Sequence, residues 1–124
     1  MREAIRYFEN AKEILNKSKI EDNIYLDDKY VKSAFRVAYL GVLKAIDEYL
    51  LKRGVTEKEL PHSVEEYRKM LKKYLSIHNG KLTKEFEILY KELHISGYYR
   101  GTLQHVDTVK TVLKAAKVFI DKIK

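Results

Sequence analysis

Ala4, Phe8, Ala11 and Leu15 recur at steps of four, three and four with Ile5 beside them, and the opposite side of this stretch is charged. That period predicts an amphipathic helix over residues 2 to about 17. Residues 18–26 mix Lys, Glu, Asp and Asn with Ile20 and Tyr25 and carry no sustained period. Asp27 or Asp28 then suits the N-cap of a second helix, because a carboxylate accepts the unpaired amide hydrogens of a first turn. Along that helix Val31, Phe35, Ala38, Val42, Ala45 and Tyr49 form one row and Tyr39, Leu43, Ile46 and Leu50 a second. So wide an apolar face predicts a central helix, running to about Arg53 and stopped by Gly54.

Residues 55–62 contain the only proline and predict a connection, with a short helical turn around residues 56–59. Ser63 and Glu66 have capping-box spacing and open a third helix, along which Val64, Tyr67, Leu71, Tyr74 and His78 fall at steps of three and four before Asn79-Gly80 closes it. Thr83 is expected to cap a fourth helix carrying Phe86, Leu89, Leu93 and then Ser96 or Gly97, with a kink or extra break where Gly97 and Gly101 interrupt it. The last helix is the most regular: Val106, Val109, Leu113, Ala116, Ile120 and Ile123 alternate by three and four, with the lysines off that row. The expected fold is all-α, one domain over residues 1–124, an up-and-down four-helix bundle with its break near residues 97–101.

Composition supports this and removes several chemistries. One proline and five glycines among 124 residues leave long stretches without a breaker, and 45% hydrophobic with 35% charged residues belongs to globular chains. The absence of cysteine excludes disulfides, thiolate zinc and a cysteine nucleophile, as is usual inside cells; a cytoplasmic protein is expected. The apolar run at residues 38–43 is too short to span a bilayer, and Glu3 and Glu9 make a signal peptide unexpected. Abundant Lys and Glu beside a single glutamine, Gln104, is a thermophile-like bias.

The formal charge of +7 is uneven: six basic side chains face two acidic ones over residues 61–84, and five face two over residues 105–124. If these helices are neighbours, Lys69, Lys72 and Lys73 join Lys110, Lys114 and Lys117 in one positive surface suited to a nucleic-acid or phosphate backbone. Solvation of exposed faces is the alternative.

His62, His78, His94 and His105 are too scattered for a metal site, and neither metal nor cofactor is expected. Candidate chemistry concentrates in residues 94–105, where His94, Tyr98 and Tyr99 line the expected break and Arg100 and His105 are five apart. An arginine can stabilise phosphoryl oxygens, and a histidine titrates near neutrality and can move a proton. This Arg-x4-His spacing in an all-α chain of this length resembles the signature of the HEPN superfamily. In ribonuclease members the resemblance implies a metal-independent cleavage of RNA, with Arg100 as phosphate clamp and His105 as acid/base or positioning group. Alternatively Leu93, Gly97, Tyr98 and Tyr99 align with non-catalytic HEPN domains. The resemblance then implies a homodimeric binding module that recruits a nucleotide, nucleic acid or a nucleotidyltransferase partner. A purely structural interaction protein is the third reading.

Overall fold

The double apolar row of the second helix is the spine of the core. The structure, a computed structural model, describes residues 2–75 and 80–123. In it α1 (Arg2–Leu15) is followed by a hairpin of β1 (Ile20–Glu21) and β2 (Ile24–Tyr25), then by α2 (Asp28–Lys52). A 3-10 turn (Glu57–Glu59), α3 (Val64–Leu75), α4 (Lys81–Leu89), a π-helical segment (Tyr90–Tyr99) and α5 (Val106–Lys122) complete it. The described residues are mostly helical, with the two-stranded hairpin as their small sheet. Every residue of the first α2 row is buried, and so are Tyr39, Ile46 and Leu50 of the second. Against this spine lie α1, the π-helical segment and α5, while α4 packs against both α3 and α5.

Close approach on two sides of α2 depends on missing side chains. A Cβ on Gly41 would sit 2.9 Å from Tyr7 Cβ and 3.2 Å from the Ala4 carbonyl of α1. A Cβ on Gly97 would fall 2.5 Å from Cγ of Phe35. Gly97 therefore does not break the helix as the sequence suggests; it lets the helix lie on a phenylalanine ring. The chain runs from α4 into the wider winding without interruption, and the Arg100 amide donates to the Ile95 carbonyl at 2.9 Å, one step longer than an α-helical bond. The break comes after Tyr99, where Gly101 adopts φ +61°.

The helix ends follow local chemistry, with two differences from expectation. Gly54 at φ +95° closes α2 with the paired bonds of a Schellman motif, Val55 amide to Leu50 carbonyl and Gly54 amide to Leu51 carbonyl, both 3.1 Å. Ser63 and Glu66 form the expected pair, the Glu66 amide donating to Ser63 Oγ at 3.2 Å. Thr83, however, is not a cap: left-handed Gly80 (φ +73°) precedes a helix that already starts at Lys81. His78 and Asn79 lie outside the described residues. Asp27 stands at the N-cap of α2, but its carboxylate accepts the Lys19 amide at 3.0 Å, and its own amide donates to Ser18 Oγ at 3.0 Å.

Those bonds belong to the hairpin, which the hydrophobic pattern does not reveal. Asp22 and Asn23 have φ of +50° and +62°, the pair of positive values that a two-residue type I′ turn requires. Residues 104 and 105 lie beside β2, with His105 bridged to Ile24: the Tyr25 amide donates to Gln104 O and the Val106 amide, at the start of α5, to Asn23 O, each at 2.9 Å.

Gly97→Ala is expected to cost about 1–3 kcal/mol, because the methyl group must displace the Phe35 ring or the π-helical backbone. Urea unfolding of the two proteins measures it. In a double-mutant cycle with Phe35→Leu the combined loss falls below the sum of the single losses; strict additivity would show that the two residues do not press on each other.

Candidate functional site

The π-helical winding sets a row of rings on one side of the segment. Tyr90, His94 and Tyr98 are four apart, and the widened turn brings Tyr99 to the same imidazole. His94 lies 5.6 Å from Tyr90 and 6.0 Å from Tyr98 between ring centres, both nearly parallel, and Tyr99 meets it edge-on at 5.0 Å and 89°. Tyr39 of α2 stacks on the same imidazole at 4.8 Å and 27°. Five rings thus form one ladder around His94, in the offset and edge-to-face arrangements that aromatic quadrupoles favour.

The two ends of the ladder differ electrostatically. At the Tyr90 end the Arg68 guanidinium of α3 stands 5.3 Å from the ring centre. It is fixed by a two-point bond to Glu87 of α4, Nε to Oε2 at 2.6 Å and Nη2 to Oε1 at 3.0 Å, and by Glu65 on its own helix. These hydrogen bonds hold Arg68 well above its ordinary pKa, so this cation is permanent but already neutralised by carboxylates. At the other end Tyr99 is 67% exposed, and Arg100 next to it is exposed with no hydrogen-bond or ion-pair partner for its side chain among the described residues.

Between these ends the ladder is uncharged. Burial, with a smaller contribution from Tyr90, pushes the Tyr39 phenol up to about 12. Burial lowers the pKa of His94, whose Nδ1 is buried without a hydrogen-bond partner among the described residues. Below the ladder the Tyr67 hydroxyl donates to Asp47 Oδ1 at 2.8 Å; burial and the Asp47 charge raise the phenol, and burial raises the Asp47 carboxyl despite that bond. Such a site can stack a flat ring at its open end and hold an anion beside it.

His94, Tyr98 and Tyr99 are in mutual ring contact. Arg100 and His105 do not share a helix: Arg100 ends the π-helical segment and His105 is the N-cap of α5, with left-handed Gly101 between them. Both are exposed, and among the described residues no hydrogen bond or ring contact joins their side chains. The lysines do not form one surface. Lys69 and Lys72 line a groove between α3 and α4, whereas Lys110, Lys114 and Lys117 line one between α1 and α5, because α4 is inserted between α3 and α5. Lys73 instead lies over the Tyr74 ring at 5.4 Å. Tyr39, Tyr90 and Arg68 are members of the site that the sequence reading missed; the spacing of rings at 90, 94 and 98 was its visible trace.

Among the described residues no cluster of three His, Asp or Glu side chains is placed to hold a metal ion, and no helix is long and apolar enough to cross a membrane. The family described as Domain of unknown function (DUF5618) matches residues 1–124. A solved protein of unknown function from Dyadobacter fermentans is 34% identical, with a TM-score of 0.77 over 98% of this chain and 89% of that one. No curated protein matches.

His94 makes the ladder pH-sensitive in a defined direction. Its folded pKa lies below the ordinary value of about 6.5, so the unfolded chain takes the proton first. The stability tied to a neutral His94 is complete above that value and is lost as pH falls toward the folded pKa. Urea midpoints measured between pH 7.5 and 5.5 are expected to fall more steeply for the wild type than for His94→Gln; equal slopes would show that the imidazole is equally solvated in both states.

Proposed function

The chain belongs to the DUF5618 family, and from that premise we propose that it is a non-enzymatic, HEPN-like four-helix module that binds a nucleotide or single-stranded nucleic acid at the open end of the aromatic ladder. The observation that carries this is the adjacency of an exposed tyrosine, braced edge-on by His94 and at 5.4 Å by Tyr98, to an arginine without a carboxylate partner among the described residues. A base stacks on Tyr99 whatever its identity, since every base has a π-face, and Arg100 takes the neighbouring phosphate. The neutral ladder behind them adds rigidity without competing charge. The reading includes self-association, which is supported by the groove between α4 and α5: Ile88 and Val118 are exposed there beside Glu85, Lys114 and Lys122, apolar surface flanked by both signs of charge. The ribonuclease reading, carried by Arg100 and His105 on the exposed connector, is the competitor.

Fluorescence anisotropy of a labelled single-stranded RNA across a salt series separates the readings. Tyr99→Ala is expected to weaken binding by about 1–3 kcal/mol, and Arg100→Ala to flatten the salt slope by about one, with the RNA intact on a gel. Cleavage that disappears in both Arg100→Ala and His105→Ala would replace this reading with the nuclease. Binding indifferent to both Tyr99→Ala and Arg100→Ala would remove the ladder from it.

A further inference from the structure

The groove between α1 and α5 is built differently from the ladder end. Its floor is apolar: Phe8 and Leu15 of α1, Tyr25 of the hairpin and Leu113 of α5 turn their remaining exposed edges into it. Its rim is cationic, with Lys12 on one side and Lys110, Lys114 and Lys117 on the other, and no carboxylate is among the described residues that line it. Lys117 is bonded to Asp121 at 2.8 Å, and Lys12 lies 5.8 Å above the Phe8 ring. Lys110 and Lys114 have no acidic partner among the described residues. The concavity measures about 300 Å³.

We propose that this groove binds a small amphiphilic anion, an apolar body of about ten carbon atoms ending in a carboxylate or a phosphate monoester. The apolar floor removes the body from water, and the partnerless lysines at the rim meet the head group, so a wholly apolar or wholly polar ligand uses only one half of the site. A nucleic-acid backbone engages the lysines but leaves the floor unfilled. An extended lipid surface meets the rim lysines but does not fill a concavity set between two helices and a hairpin. This site is independent of the Tyr99–Arg100 site, which lies on another part of the chain.

The test is titration with decanoate and decyl phosphate, with decanol as the uncharged match, followed through the methyl resonances of Leu15 and Leu113. One or both anions are expected to shift these methyls saturably, decanol to bind at least tenfold more weakly, and octanoate to bind about tenfold more weakly than decanoate, as two fewer buried methylenes imply. Lys110→Ala/Lys114→Ala is expected to weaken the anions about tenfold and erase most of the preference over decanol while leaving the helical circular dichroism unchanged. Lys110→Ala alone serves if the double variant does not fold. Decanol binding as tightly as the anions, methyls that do not move, or lysine variants with unchanged affinity would each overturn the proposal. So would displacement of decanoate from the Leu113 methyl by single-stranded RNA, or sedimentation with anionic phospholipid vesicles in the absence of decanoate binding.

Discussion

The Phe35 ring occupies the space that any side chain on residue 97 would need, and much of the molecule follows from that one steric condition. With glycine there, the segment from Tyr90 to Tyr99 can lie directly on α2. Lying that close brings Tyr39 of α2 onto His94. The wider π-helical turn accompanies this packing, and it is also what carries Tyr99 round to the imidazole. A π-helical turn is rare beside an α-helical one, and here it sits where tertiary contact is close. Here the contact is a buried ring against bare backbone, supported by Leu93 and Leu89 on the same side.

Charge is arranged around this apolar scaffold by the same economy. Arg68, Glu87 and Glu65 tie α3 to α4 and hold a cation against Tyr90, a partly exposed network whose value lies in fixing geometry more than in bulk stability. Tyr39 and His94 are held toward their neutral forms because burial disfavours their ions. Among the cations left without carboxylates are Arg100 at one end of the ladder and Lys110 and Lys114 at the rim of the α1–α5 groove. The α4 helix, standing between α3 and α5, is what keeps the second group apart from Lys69 and Lys72.

The helices were legible because each repeats a local period over ten or more residues, and rows such as Ala4, Phe8, Ala11 and Leu15 are buried as that period requires. Three features were not. The hairpin strands are two residues each, too short to show alternation, although Asp22-Asn23 is a turn pair whose side chains tolerate positive φ. The role of Gly97 depends on Phe35, sixty-two positions away, so the sequence shows a helix-weakening glycine where the fold uses a contact surface. Likewise His94, Tyr98 and Tyr99 were visible as sequence neighbours, whereas Tyr39 and Arg68 reach the same ladder from other helices. Asp27 shows a further limit: the residue type fits a cap, but a nearer backbone donor at Lys19 takes its carboxylate.

The hairpin also ties the segment before α2 to the start of α5. Asn23 receives the Val106 amide on its carbonyl and donates from Nδ2 to Asp107 at 3.1 Å, a bond spanning 84 positions. During synthesis the turn at Asp22-Asn23 emerges long before the residues that complete it. Until residues 104–107 leave the ribosome, the outer edge of β2 has only water to bond, and the hairpin stands without the bonds those residues supply. Completion of this corner of the fold therefore waits for residues 104–107.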